Sequence, residues 1–471
     1  MRVGKVALAA VAVLLVNTVS VCADTLTDVV AEALSTNPEL GAIRFNRRAI
    51  DNELNAARGL NLPTLDVEAR VGRERNSYVA GSGIEDTNEW HQGKGVSTIL
   101  SQRIFDGFEA RHEIARQKNR VDSARWRVND TANSIALRAV QAYLEVIRAG
   151  QVLAAARTNL TAHQGLNARV SARFDAGKAN AAEGAEAGAR TANAKAIVAE
   201  AEARLQDAYA LFKSVVGRLP GKLAPAPAAK GLPGSVEAAV GEAVIAAPSI
   251  MATQFDTLAA QASIGQAYSR FFPKLNLEVS TDHGRGVTED HDRDLDARAL
   301  LVVRYNLFNG GIDKARLWEA KARAAEAAEI SANTERIIER ETRVSWNALV
   351  SASQRVGDLR RQLDLQRQRR AAYLEQFDTG SRRLLDLLDA QAEIFLAEST
   401  LRTEELIGVY SGYRLLAAMG RLVPALGLDQ PPEAVEPHAA NLIEGWRTEI
   451  IYWPRENFHI GNRDSGGSGA K

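Results

Sequence analysis

The chain repeats itself at a fixed distance. Phe105-Asp106-Gly107 returns as Phe308-Asn309-Gly310. Arg173-Phe174-Asp175-Ala176-Gly177 returns as Gln376-Phe377-Asp378-Thr379-Gly380, and Val216-Gly217 as Met419-Gly420, each 203 residues later. A constant offset over so long a stretch means a duplicated structural unit, each copy building half of one architecture. Upstream, Asn37-Pro38 answers Ala247-Pro248 and Leu62-Pro63-Thr64-Leu65 answers Phe272-Pro273-Lys274-Leu275 at an offset of 210. The difference is absorbed between Leu65 and Phe105, where Gly81-Ser82-Gly83 predicts a loop tolerant of length change.

Within each copy the pattern changes period. Leu65, Val67, Ala69 and Val71 alternate with Asp66, Glu68 and Arg70; Leu275, Leu277 and Val279 alternate with Asn276, Glu278 and Ser280. Ala297, Ala299, Leu301, Val303, Tyr305 and Leu307 form another row of period two, and Val96–Phe105 a weaker one. That gives two strands per copy and four per chain, about ten residues each with one apolar face, the pattern of a membrane β-barrel. Four strands cannot close a barrel alone, so a barrel requires oligomerisation; a soluble sheet is the alternative.

Helix formers then dominate from Asp106 to Arg173 and from Gly310 to Gln376, without proline. Each run would extend roughly 100 Å as one helix. Ala139, Tyr143, Val146, Gly150, Leu153, Arg157 and Leu160 step by fours and threes, and Thr342, Trp346, Leu349, Ser353, Val356, Arg360 and Leu363 repeat the steps 203 residues on. This is a heptad seam, and core packing explains Tyr143 and Trp346. Phe-Asp-x-Gly closes each helix, since glycine takes the left-handed conformation that stops one. A second helix follows at once, so each copy holds a helical hairpin with its tip at Gly177 or Gly380.

The chain opens with Arg2 and Lys5, an apolar run Val6–Val16 and a small-residue site at Val21-Cys22-Ala23. This predicts a signal peptide over 1–23 and a mature chain from Asp24; a membrane anchor and a lipid-modified Cys22 are the alternatives. Cys22 is the sole cysteine, so disulfides, cysteine–zinc sites and a cysteine nucleophile are excluded from the mature chain. Zero net charge offers no electrostatic case for nucleic acid. No later stretch reads as a transmembrane helix.

The predicted organisation is therefore a first copy over 24–217 and a proline-rich linker over 218–235, followed by a second copy over 236–420 and a tail over 421–471 with a disordered end. Each copy starts with helix. Its strand pair spans about 62–105 or 273–308, and its long hairpin spans 106–217 or 309–420. No enzyme constellation is present. None of the seven histidines pairs at metal-ligand spacing, and Asp290-His291-Asp292-Arg293-Asp294 lacks the glycine and distal glutamate of a calcium loop. No cofactor or metal is expected. Asp386 and Asp389 share one helix face just past the second tip, and their repeat mates are Glu183 and Glu186. A solvated helix face is the plain reading of such a pair.

The order of these elements resembles the TolC family of trimeric outer-membrane export channels. The residues that carry the resemblance are Ala33-Leu34, Asn37-Pro38-Glu39, Leu62-Pro63, Ile104-Phe105-Asp106-Gly107, Asn306-Leu307-Phe308-Asn309-Gly310-Gly311 and 377–391. It covers 25–420. Arg304–Gly311 is most similar to the type I secretion branch, whose cargo is a protein, such as the repeat-rich toxin cyclolysin. The resemblance implies an α+β membrane protein of the Gram-negative outer membrane. Its homotrimer has a 12-stranded barrel in lipid, continued by a periplasmic coiled-coil tunnel of long helices. The implied partners are a periplasmic membrane-fusion adaptor, an inner-membrane ABC transporter and the secreted protein. It also implies roles for residues. Asp386 and Asp389 would line the periplasmic mouth and select cations. Arg382 would tether the inner hairpin to Glu183 and hold the mouth shut, while Phe377 stands where the family has an aromatic with a hydroxyl and lacks that hydroxyl's hydrogen bond. Phe174, Asp175, Gly177, Phe377, Asp378 and Gly380 would meet the adaptor. Small-molecule efflux and a non-channel periplasmic coiled coil are the alternative functions.

Overall fold

A computed structural model of the chain describes residues 23–74, 77–80, 83–86, 90–177, 179–285 and 293–435. The segment through Cys22 expected to be a signal peptide, most of the acidic run at 290–294, Gly81-Ser82 and the tail beyond 435 lie outside them. Two helices, α1 (Leu26–Thr36) and α2 (Pro38–Gly59), precede the first strands. Strands β1 (Thr64–Glu74) and β4 (His91–Phe105) flank a short hairpin of β2 (Ser77–Ala80) and β3 (Gly83–Asp86). Then come the long α3 (Glu109–Asp175) and α4 (Ala181–Val216). The second copy follows as α5 (Val236–Ala246), α6 (Pro248–Tyr268), β5 (Lys274–Arg285), β6 (Arg293–Arg304), α7 (Ile312–Asp378) and α8 (Leu384–Ala418). Two single turns close the described chain, α9 (Leu422–Ala425) and α10 (Pro432–Val435). Both α3 and α7 are unbroken for 67 residues.

The strands form one antiparallel sheet in the order β1-β4-β5-β6. Its register fixes two faces. Leu65 pairs with Leu100, Leu100 with Val279 and Val279 with Ala299, so the apolar rows of all four strands share one side. Leu65, Val67, Val71, Val96, Leu100, Leu277, Leu295, Leu301 and Val303 on that side are exposed. The other side carries ion pairs, Arg70–Asp282 at 3.2 Å and Arg304–Glu278 at 3.1 Å. β1 and β6 are open edges of this sheet.

Three expectations need correction. Strand β4 begins at His91, well before Val96. Gly93 and Gly95 hide its alternation, and Gly95 has a structural reason: Arg70 lies across it, Nε 3.0 Å from where a Cβ would sit, on its way to Asp282. β6 ends at Arg304, so Tyr305 and Leu307 fall beyond the strand. The stretch Val236–Phe271 also reaches a mean hydropathy of 1.3 over 18 residues, enough by length and composition to cross a membrane. Ala247-Pro248 breaks it into α5 and α6, as proline favours a first helical turn and forbids an interior one. Polar contacts tie α6 to α3 and α7: Arg127–Asp256 at 2.7 Å, Thr253–Ser331 at 3.3 Å and Thr257 to the Ala327 carbonyl at 3.1 Å.

The described residues form two compact units that cut across the copies, one within 23–38, 132–241 and 341–429, the other within 39–131, 242–340 and 430–435. The second holds the sheet. In the first, the long helices bury several separate apolar clusters along their length. Of the heptad seam, Ala139, Tyr143, Val146 and Leu153 are buried, as is Thr342 of the second copy. The matched arginines prove to be ion-paired in a duplicated way. Arg157 meets Glu202 at 2.7 Å and Arg360 meets Glu405 at 2.7 Å, and both partners obey the same offset. The linker is strapped onto this unit. The buried Tyr143 hydroxyl, pushed up to about 12 by burial, donates between the Ala224 and Asp24 carbonyls at 2.6 and 3.0 Å. Tyr413 donates to the Pro227 carbonyl at 3.0 Å.

Candidate functional site

Both hairpin tips lie in the first unit. α7 ends in a paired-bond glycine stop. Gly380 takes φ +82° and its N–H donates to the Phe377 carbonyl, while the Ser381 N–H reaches the Gln376 carbonyl. Gly177 takes φ +67° with its N–H donating to the Phe174 carbonyl. A Cβ at either glycine would meet nothing within 4 Å, so backbone conformation alone requires glycine there.

The two tips carry the same letters and different environments. Phe174 is 51% exposed, whereas Phe377 is 5% exposed in a core of Leu166, Val170, Ala187, Leu384, Leu387 and Leu388. Phe377 therefore cannot serve as an exposed adaptor contact within this protomer, correcting that expectation. The cause is legible by offset: where α8 presents Leu384, Leu387 and Leu388, α4 presents Ala181, Gly184 and Ala185, too small to hold a ring. Arg173 locks the buried ring from above. Its guanidinium lies 4.7 Å from the ring centroid and donates to the Phe377 carbonyl at 2.9 Å. Arg169 pairs with Asp378 at 3.1 Å. Asp175 and Gly177 are exposed beside Phe174, as are Asp378 and Gly380 at the other tip.

The expected tether from Arg382 to Glu183 is not made within the protomer. Glu183 instead closes a capping box with Asn180, whose side chain accepts from the Glu183 N–H at 2.9 Å. Arg382 stacks on Tyr373, 3.9 Å from the ring centroid, and pairs with Asp386 at 3.2 Å. Arg383 adds a 3.5 Å contact to Asp386, so that acid is held by its own helix start. Asp389, the more exposed of the pair, is met from the other hairpin by Arg190 at 3.0 Å, and Arg190 also holds Glu186 at 2.9 Å. Just inside, buried Gln391 donates to Asn159 at 3.2 Å and His163 is buried on α3. Burial, then the nearby Arg190 charge, hold the His163 pKa below its ordinary value. Sequence reading missed Arg190 and the Asn159–Gln391 pair, whose partners lie on the other copy, and Tyr373, whose partner Arg382 lies across the tip.

An antiparallel four-stranded sheet with an exposed apolar face, joined in one chain to two long helical hairpins, defines the subunit of an outer-membrane channel. The chain belongs to the outer membrane efflux protein family, which it matches over residues 29–218 and 239–420, one block in each copy. It is 27% identical over 454 residues to the outer membrane efflux protein BepC of Brucella suis, covering 93% of this chain and 96% of BepC. It is 24% identical over 428 residues to the outer membrane protein TolC of Vibrio cholerae, covering 86% and 92%. Its fold matches the crystal structure of a membrane protein from Pseudomonas aeruginosa with a TM-score of 0.75 at 22% identity, over 84% of this chain and 93% of that one. The fold class is that of the TolC-like trimeric channels, and the family is one of outer-membrane channels, not of enzymes. Membership removes the non-channel periplasmic coiled coil from consideration.

Proposed function

We propose that three copies of this chain form a passive conduit that carries a secreted protein across the outer membrane, supplied by an inner-membrane ABC transporter and a periplasmic adaptor. The observation that carries the channel reading is the sheet: an exposed apolar face and two open edges, β1 and β6. Unpaired edges of eleven and twelve residues invite pairing with another strand. In a ring of copies, β6 of one meets β1 of the next in antiparallel sense, continuing the alternation. Ile330, Ile337 and Val344 add a sevenfold-spaced exposed apolar stripe on α7, suited to a neighbouring helix. The protein cargo, of the repeat-rich toxin kind, rests on the likeness of Arg304–Gly311 to the type I secretion branch.

In this reading the exposed tip at Phe174, Asp175 and Gly177 meets the adaptor, with Asp378 and Gly380 beside it. Asp386 and Asp389 gather at the periplasmic mouth, six carboxylates from three chains, and favour cations. Arg382 contributes to closure by holding the start of α8 rather than by reaching Glu183. A second reading, efflux of small molecules, is favoured by the description of BepC as an efflux protein. A channel-deficient cell supplied with this chain, a type I transporter, its adaptor and its substrate separates the two. Appearance of the substrate protein in the medium is expected. Restoration of drug efflux alone would overturn the protein-export reading.

A further inference from the structure

The two acids past the second tip are not equivalent. Asp386 is occupied by Arg382 and Arg383 of its own chain segment. Asp389 takes its partner from α4, and that partner is already restrained: Glu186 and Arg190 are one helical turn apart, with the acid on the N-terminal side, the favourable order for such a pair. A side chain fixed by one carboxylate loses little further freedom on meeting a second. Arg190 thus bridges Glu186 and Asp389, tying α4 to α8. Two residues beyond Asp389, the buried Gln391 donates to Asn159 of α3, and Thr191, next to Arg190, is fixed by its hydroxyl bond to the Ala187 carbonyl at 2.8 Å. Here an arginine of the first copy reaches an acid of the second, with polarity opposite to an arginine of the second copy reaching Glu183.

We infer that Arg190 is a specificity-determining residue of the channel: it clamps α4 to α8 and masks Asp389 and Glu186, setting the negative charge that a passing ion meets. The inference rests on the channel reading above. Glu183, Glu186, Asp386 and Asp389 carry four negative charges, and Arg190, Arg382 and Arg383 three positive ones. One net negative charge per protomer remains, and loss of Arg190 doubles it. Because the bridge is part-exposed, the clamp is modest and the change of charge is its larger consequence.

Arg190→Gln in the purified full-length protein tests both halves. Hydrogen exchange of 384–391 is expected to rise about two- to fivefold, the range of an exposed ion pair. Unchanged exchange overturns the clamp, whether or not the protein conducts. In planar bilayers, block by La3+ is expected to tighten and the preference for K+ over Cl− to rise. Arg190→Lys should retain wild-type block, and adding Asp389→Asn to Arg190→Gln should return block toward wild type. Wild-type channels that conduct, with Arg190→Gln indistinguishable from them, overturn the masking role while leaving the channel reading intact. Wild-type protein that never conducts overturns the channel reading, and with it the masking role; the exchange arm then still decides the clamp.

Discussion

Phe377→Ala and Phe174→Ala should behave as opposites although the two residues are repeat mates. Phe377 is 5% exposed, sealed by Leu166, Val170, Leu384, Leu387, Leu388 and the Arg173 guanidinium. Removing a buried phenylalanine ring costs about 3–5 kcal/mol, as lost transfer energy plus an uncollapsed cavity. At about 1.4 kcal/mol per tenfold, local opening of the tip should become roughly two to three and a half decades more frequent. Phe174 is 51% exposed, and its removal should stay within about 0.5 kcal/mol. Hydrogen exchange by mass spectrometry on intact detergent-solubilised protein reads both. Protection over 370–391 should collapse in Phe377→Ala and persist in Phe174→Ala, with the seam around 139–153 protected in each. Adaptor binding should be lost in Phe174→Ala without loss of protection at either tip. Equal exchange in the two variants would refute the argument that the leucine platform of α8 makes the tips inequivalent.

Gly412 faces the linker strap, and a Cβ there would sit 2.9 Å from the Ala229 Cβ. Gly412→Val should therefore cost about 1–3 kcal/mol in thermal melts, and Tyr413→Phe, which loses the Pro227 bond, about 1 kcal/mol. Burial works to raise the Glu433 carboxyl, but hydrogen bonds from Arg44 and Arg48 outweigh it and lower its pKa to about 2. A depressed carboxylate stabilises above its unfolded value of about 4.3 and ceases to as pH falls through the folded one. The docking of α10 on α2, followed by proteolysis after residue 430, should thus weaken between about pH 4 and pH 2. For His163 the folded pKa is the lower one, so the unfolded chain takes up a proton first. Hairpin stability should fall as pH drops below about 6.5, and His163→Gln should flatten that slope in pH-dependent melts.

Where sequence and structure agree, the physical signal was local. The alternation Leu65-Val67-Ala69-Val71 and the rows at 275–279 and 297–303 fix which face of each strand is apolar, and the observed register brings those faces to one side. The glycine stops at Gly177 and Gly380 follow from a conformation that other residues resist. Where they part, the deciding partner is distant in the chain. Gly95 weakens the pattern of β4 because Arg70 needs the space over it. Phe174 and Phe377 differ because of residues one helix further on, a difference the offset comparison of 181–185 with 384–388 already holds. Arg190 and Asp389 belong to different copies and obey no repeat, so no spacing rule points from one to the other. Arg382 is an intermediate case: its acid partner Asp386 is four residues on, a local spacing, while its aromatic partner Tyr373 lies across the turn on α7.

The central claim is that copies of this chain close into a conducting channel with an acidic mouth. Single-channel recording of the purified full-length protein in planar bilayers tests it most directly. Discrete steps that prefer K+ over Cl−, with the preference lost in Asp386→Ala/Asp389→Ala, are the expected result. Absence of current from protein inserted in the membrane, or a cation preference untouched by loss of both acids, would contradict it.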